Sequence, residues 1–387
     1  MGRRLQNASQ ETCQFLPFYH LKPIAFGRKA TKIMLKSIKL AAIYVAALFL
    51  LASCEETKQT PAPILPKGRY ATGIFIISEG GFQKSNGSIS YFNRKDLDSV
   101  AIGGDIFAKA NSRNLGDIVQ DMAIVNDKAF IVVNNSNKVE IVDAGTFKSL
   151  APEIKLQLPR HAVAVGNKLY VTEWVSFSAP NGQVSVIDIA TYKVLKTIQV
   201  GILPDNMLVV GTKILVANTN ENTLSVINTE FDTVENTIKV GDRPNSLVQD
   251  ASGNVWVLCG GTPSWAGTPT NAKLVRFNPN TATQQTTFEF AGGGAGGLVI
   301  NSEKNTMLYS YRLRIFSITT SATTLPSIDK PFINRRFYGL GIDKDGTIYG
   351  ADALNYSVNG RVIRYNKSGI VLDSMTVGVA PNGFLFR

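Results

Sequence analysis

A unit of about 40 to 45 residues recurs along this chain, and the last copy is a fragment that fits a gap in the first. Aligned copies open on a proline in a polar turn: LPRHAVAV from Leu158, LPDNMLVV from Leu203, RPNSLVQD from Arg243. A second apolar run follows a tight turn (NKLYVTEW, TKILVANT, GNVWVLCG). A third follows a variable loop (GQVSVIDIAT, NTLSVINTEF, AKLVRFNPNT), and a fourth ends the unit (KVLKTIQVG, TVENTIKVG, TQQTTFEFAG). The residues APNGFLFR, Ala380 to Arg387, match only the opening quarter of a unit. The first copy, from about Tyr70, lacks that quarter and starts at its second run, GIFIISEGG. One defect complements the other, as it must if the copies close into a ring.

Four short strand-like runs per unit predict a four-stranded sheet that cannot bury both faces alone. Radial stacking buries them and leaves only short, protected edges, so the expected fold is an all-β, seven-bladed β-propeller. The strand at Pro381–Phe386 is expected to complete the first blade and remove the open edge of an unclosed stack. The units begin near Tyr70, Asp117, Pro159, Pro204, Pro244, Gly294 and Arg336. Turn residues fit: Asn126-Asp127-Lys128, Gly166-Asn167-Lys168 and Asp345-Gly346 supply types that tolerate positive φ or bond their own backbone. A pair of β-sandwiches is the alternative, and it does not account for the displaced strand. No long amphipathic helix is expected after residue 68.

Residues 34–53 read as a signal peptide. Lys36 and Lys39 form a positive start, and Leu40 to Leu51 form an apolar stretch too short to span a bilayer comfortably. Leu51-Ala52-Ser53-Cys54 resembles the bacterial lipobox, which makes Cys54 the expected lipidation site. An ordinary secretory signal with an incidental cysteine is the alternative. Residues 1–33 read as an upstream extension of the reading frame, with the true start at Met34. Residues 54–67 read as a lipidated cysteine and a proline-rich tether, and 68–387 as the propeller.

The whole chain carries 40 Lys and Arg against 29 Asp and Glu, but eight of the basic residues and one acid lie before Cys54. The remainder is close to neutral for its length. No basic run or stacked-aromatic stripe accompanies it, so a nucleic-acid partner is not expected. Of the three cysteines, Cys13, Cys54 and Cys259, only Cys259 would remain unlipidated after processing, leaving no intramolecular disulfide.

Propeller strands are committed to packing, so function is expected in loops. Second-to-third and fourth-to-first connections emerge on one face, and the irregular loops fall there. The candidate ligand-binding residues are Glu79, Phe82, Gln83, Asn135, Arg160, Glu173, Trp174, Trp265, Arg336, Tyr338, Asp352 and Tyr356. Each has a plainer reading. Trp174 and Trp265 would cap blade ends. Glu79, Glu173 and Asp352 would cap loops or bind a cation. Asn134, Asn135 and Asn218 would satisfy turns. Trp256 alternates with valines and reads as packing. Gly292-Gly293-Gly294 and Gly296-Gly297 read as close blade packing, because no helix follows to make a phosphate loop.

Material for catalysis is sparse. His161 is the one histidine after Cys54, and no nucleophile motif accompanies it. The histidine and cysteine count excludes a His/Cys zinc site. A calcium site through Glu79, Asp205 or Asp352 stays open, without a ligand-spacing motif. No catalytic residue, metal or cofactor is expected.

The segments L-Y-V-T-E…V-S-V-I-D and L-V-A-N-T-N-E-N-T-L-S-V-I-N resemble YVTN-type, YncE-like propeller repeats. Across residues 70–387, GIFIISEGGFQKSNGSISYFN, LGDIVQDMAIVNDKAFIVVNNSNKVEIVD and FYGLGIDKDGTIYGADALNYSVNGRVIRYNKSG resemble the cobalamin-capturing outer-membrane lipoproteins of Bacteroidota. That resemblance implies a non-catalytic surface lipoprotein, lipid-anchored in the outer membrane. It would bind cobalamin or another corrinoid and hand it to a TonB-dependent barrel. The alternatives are a scaffold for protein or glycan binding and a metal-dependent, lactonase-like enzyme. The sixth unit departs from the pattern, with almost no second-to-third loop at Ser310-Tyr311-Arg312.

Overall fold

A computed structural model describes residues 68–93 and 104–387. The expected upstream extension, signal peptide, lipidation site at Cys54 and tether all fall on residues 1–67, outside the described residues. Short strands assemble into seven separate antiparallel sheets. The first contains β1 (Gly73–Ser78) and β2 (Ser88–Asn93). A six-residue helix, α1 (Ile106–Asn111), precedes the second sheet, β3 (Val119–Val125), β4 (Lys128–Val133), β5 (Lys138–Asp143) and β6 (Ile154–Lys155). The third holds β7 (Pro159–Val165), β8 (Lys168–Glu173), β9 (Gln183–Asp188) and β10 (Val194–Gln199). The fourth holds β11 (Pro204–Val210), β12 (Lys213–Asn218), β13 (Thr223–Asn228) and β14 (Thr233–Lys239). The fifth holds β15 (Pro244–Gln249), β16 (Val255–Cys259), β17 (Lys273–Asn278) and β18 (Thr283–Glu289). The sixth has β19 (Gly296–Ile300), β20 (Thr306–Tyr311) and β21 (Arg314–Thr319). The seventh has β22 (Gly339–Ile342), β23 (Ile348–Asp352), β24 (Asn359–Tyr365) and β25 (Val371–Val379). The last strand, β26 (Pro381–Phe386), returns to β1.

The ring closes as the offset repeat requires. β26 pairs antiparallel with β1 from Ile74↔Phe386 to Ser78↔Pro381. Arg387 and Gly73 exchange two further backbone bonds at 2.9 and 3.0 Å. The innermost strands touch in the cyclic order β26, β3, β7, β11, β15, β19, β22 and back to β26. The core follows this symmetry: one apolar cluster fills each blade interface. In β4, Ile131 and Val133 pack toward the first blade while Phe130 and Val132 pack toward the third. This explains why second strands such as KAFIVV and KILVAN read as continuous apolar runs and do not alternate with polar residues: both of their faces are covered.

Blades one and six depart from four regular strands. In the first, Asp105 caps α1 by accepting from the backbone N–H groups of Phe107 and Ala108, and the helix buries Ile106 and Phe107 against Tyr70, Phe75, Tyr91 and Phe147. In the sixth, a two-residue turn with both Arg312 and Leu313 at positive φ joins β20 to β21. There the outer edge is met by a single bridge from Ile333 to Ile315. The glycine cluster is packed more loosely than its spacing predicts. A Cβ at Gly293 would crowd the Thr262 and Thr270 backbone at 3.1 Å, whereas Gly294 (φ +95°) and Gly297 (φ +66°) face open space and are required for their backbone conformation. Trp256 is fully buried, donates to Asp250 Oδ2 at 2.8 Å and stacks on Phe288, as its alternation with valines indicates.

Candidate functional site

The entries to five of the seven inner strands repeat one local device. Ile118, Leu158, Leu203, Arg243 and Ala380 all hold positive φ, between 47° and 58°, immediately before Val119, Pro159, Pro204, Pro244 and Pro381. Such a conformation costs a non-glycine residue on the order of 1 kcal/mol or more. It is held because each carbonyl is taken by the N–H that follows the second strand of its own blade: Asn134 to Ile118, Trp174 to Leu158, Thr219 to Leu203, Gly260 to Arg243 and Glu79 to Ala380, at 2.7–3.2 Å. A register shift follows within the first residues of the inner strand in blades one to six. The bulge carries the polar residues after the proline or valine: Gln120-Asp121, Arg160-His161, Asp205-Asn206, Asn245 and Asn382. A bulge re-aims side chains, and here it places them around the mouth of the central channel.

The result is an open cavity of about 720 Å³ at the ring centre. Its aromatic lining is Phe82, Trp174, Phe177, Tyr338 and Phe384, and its polar lining includes Glu79, Asn135, Arg160, Asn206 and Asn382. Arg160 is the hub. Its guanidinium lies 4.2 Å from the Trp174 ring centre, pairs with Asp205 Oδ2 at 3.2 Å and donates to Gln120. His161 sits between two carboxylates, with Nε2 2.9 Å from Asp205 and Nδ1 3.3 Å from Asp121. Burial disfavours the imidazolium, but Asp121 and Asp205 outweigh it and raise the His161 pKa to about 9, so the ring is charged at neutral pH. Burial likewise opposes the Asp205 carboxylate, and Arg160 and His161 overcome it, holding its pKa well below the usual range.

Gln120 links Arg160 to Glu79, which accepts from Tyr338 Oη at 2.9 Å, Asn382 Nδ2 at 3.2 Å and Gln120 Nε2 at 3.3 Å. Burial nevertheless leaves its pKa raised, against the lowering effect of those bonds and of Arg160. Among the described residues, Trp174 Nε1 and Asn382 Oδ1 are buried without a hydrogen-bond partner. A buried polar atom left unpaired is costly, and both belong to residues of the cavity wall.

Of the residues nominated from sequence, Glu79, Phe82, Asn135, Arg160, Trp174 and Tyr338 line this cavity. Trp265 lines a second cavity of about 370 Å³, which shares Tyr338 and Leu340 with the first. Gln83, Glu173, Arg336, Asp352 and Tyr356 line neither. Gln83 uses its backbone N–H to bond Asp117 at 2.8 Å and so fixes the loop that carries Phe82. Arg336 donates to Tyr356 Oη at 2.6 Å, and the Tyr356 ring meets Tyr338 edge-on at 5.1 Å, so both support the wall from behind. Asp352 is paired with Arg335 and Arg361.

Glu173 is a blade latch. It is 1% exposed and accepts from Gln157 N at 2.5 Å, Ser185 Oγ at 2.6 Å and Gln183 Nε2 at 3.1 Å. Asn218 and Cys259 close their own blades from the same strand position, each accepting from a backbone N–H, Gly201 and Gly241 respectively. Burial pushes the Cys259 thiol up to about 12. Sequence reasoning missed Gln120, Asp121 and Asn382 as wall residues. The signal was the polar pair that follows the proline position in unit after unit.

Fold and site together define a closed seven-bladed β-propeller with an aromatic and polar cavity over its central channel. Within that class, the chain belongs to the family described as Domain of unknown function (DUF5074), whose profile matches residues 72–345. No curated protein matches the sequence. Among solved structures it is similar to a quinoprotein alcohol dehydrogenase-like protein from Bacteroides thetaiotaomicron (14% identity, TM-score 0.61, 82% of this chain and 78% of that one). It is also similar to a functionally unknown protein from Desulfotomaculum acetoxidans (12%, 0.58, 81% and 98%). A third is the hydrazine synthase of Kuenenia stuttgartiensis (16%, 0.52, 64% and 76%). At these identities the likeness establishes the fold alone.

Proposed function

We propose that this propeller is a non-catalytic binder of a large small molecule, a corrinoid such as cobalamin, held on the face that carries the 720 Å³ cavity. The observation that carries the reading is the composition of that wall: aromatic surfaces for an extensive ring system, interleaved with amide and guanidinium groups suited to peripheral amides. The carboxylates of the face are already engaged: Asp205 by Arg160 and His161, Asp352 by Arg335 and Arg361, and Glu79 by three donors. This favours a binder over a metal-dependent lactonase-like enzyme. Lipidation at Cys54, outer-membrane placement and hand-over to a TonB-dependent barrel complete the proposal and rest on the leader sequence and the family resemblance. A protein- or glycan-binding scaffold is the second reading, favoured by the exposed aromatic rim at Phe82, Phe177 and Trp265. Calorimetry of the purified protein with cyanocobalamin tests the first. One-site binding supports it, and no heat with either cyanocobalamin or cobinamide refutes it.

A further inference from the structure

From the smaller cavity we infer a second subsite for a planar ring joined to an oxyanion, the chemistry of a nucleotide. Three observations carry this. Among the described residues, Arg243 is the arginine whose guanidinium has no hydrogen bond, ion pair or ring contact, whereas Arg160, Arg335, Arg336, Arg361 and Arg364 are all engaged. Arg243 lines the 370 Å³ cavity and also the adjoining groove that contains Glu221 and Asp242, yet it pairs with neither acid. The residue is half-buried, and its free guanidinium offers a planar fork for a phosphate or carboxylate.

The second observation is Trp265, 85% exposed at the rim of the same cavity. An indole this exposed contributes little to the fold and presents a face for stacking. The third is the wall of that cavity. Gly260, Gly261, Gly294, Gly296 and Gly297 supply five of its lining positions, so a large part of the wall is backbone. A Cβ at Gly294 or Gly297 would meet nothing within 4 Å, which leaves clearance over that surface. A cation, an aromatic platform at the rim and a glycine-rich wall in one cavity suit a flat ring tethered to an oxyanion. Such a ligand could be a free nucleotide or the nucleotide-like arm of a larger molecule seated in the neighbouring 720 Å³ cavity. The inference does not depend on the corrinoid reading.

The test is calorimetry on the purified full chain with adenosine 5′-monophosphate, adenosine and inorganic phosphate, alone and after saturation with cyanocobalamin. The monophosphate is expected to bind saturably and at least about tenfold more tightly than either fragment. Arg243→Asn, chosen because asparagine tolerates the positive φ of 57° at this position, should remove at least about tenfold of that affinity. Trp265→Ala should do the same, with melting temperatures of both variants close to wild type. Loss of monophosphate binding in the presence of cyanocobalamin would assign the subsite to an arm of the larger ligand, and retained binding would assign it to a free nucleotide. No saturable binding at millimolar monophosphate to folded protein, or unchanged affinity in either variant, overturns the inference. That result leaves the corrinoid reading untouched, since that reading is decided by cyanocobalamin binding alone.

Discussion

The hydroxyl of Tyr338 donates to Glu79 Oε2 across 2.9 Å and joins residues 259 positions apart in the chain. One bond therefore serves two purposes. It ties the seventh blade to the first beside the closing strand, and it fixes the wall that divides the two cavities. Replacing Tyr338 with Phe should cost about 1 kcal/mol of stability, the ordinary worth of such a bond, and should widen the passage between the cavities. Chemical denaturation checks the first effect, and a change in cyanocobalamin affinity larger than the stability loss checks the second.

Glu79 should impose a pH dependence of its own. Burial raises its pKa in the folded state, so the folded protein binds this proton more tightly than the unfolded chain does. Stability from this group is present at acid pH and is lost as pH rises from the unfolded value through the folded one. Glu79→Gln removes the charge and keeps an acceptor for Tyr338, but its amide N–H₂ faces the Asn382 and Gln120 donors that Oε1 accepts from. The variant is expected to lack the wild-type decline in stability toward neutral pH, so its deficit against wild type is larger at acid than at neutral pH. A pH series of urea midpoints reads this directly, and a deficit that does not shrink toward neutral pH would contradict it.

His161 works in the opposite range. Its folded pKa of about 9 lies above the ordinary histidine value, so its contribution is full below about pH 6.5 and disappears as pH rises through 9. After allowance for partial exposure, the contribution is about 2 kcal/mol. His161→Gln should abolish the decline in stability between those pH values while lowering stability throughout the acid side, because Asp121 and Asp205 lose their shared cation.

Adjacent residues should separate folding from binding. Glu173→Ala leaves the Gln157 N–H without its 2.5 Å acceptor in a buried latch and should cost about 2 to 3 kcal/mol, with little change in ligand affinity per folded molecule. Trp174→Ala removes the platform under Arg160 and should weaken cyanocobalamin binding at least about tenfold, with a smaller effect on melting. Equal effects of both substitutions on both readouts would refute this division.

Deleting residues 381–387 should destabilise the whole ring. It removes the partner of β1 and the packing of Phe384 and Phe386 on Tyr349, where ring centres lie 5.7 and 5.1 Å apart. Loss of aromatic packing costs about 3 kcal/mol per side chain, before the exposed strand edge is counted. Cooperative melting within a few degrees of the intact protein would show that closure contributes little.

The amino-acid sequence by itself determined the architecture. Its period, its proline entries and the fit of APNGFLFR to the gap before GIFIISEGG are local patterns, and a repeat whose units can bury their faces only against neighbours has little freedom beyond the number of blades. Part of the site was equally legible, because Trp174 and Arg160 stand in irregular loops and strand entries of known facing. The tertiary structure decided which polar residues serve the cavity and which serve the blade. Glu173 and Trp174 are neighbours in sequence, yet strand alternation turns one into the blade interior and the other to the cavity. Gln120, Asp121 and Asn382 reach the channel mouth only because a bulge re-aims β3 and β26. Ring closure sets Tyr338 against Glu79, a distance in sequence that no local pattern encodes. Partners are chosen by which strands become neighbours, and that is a property of the closed ring.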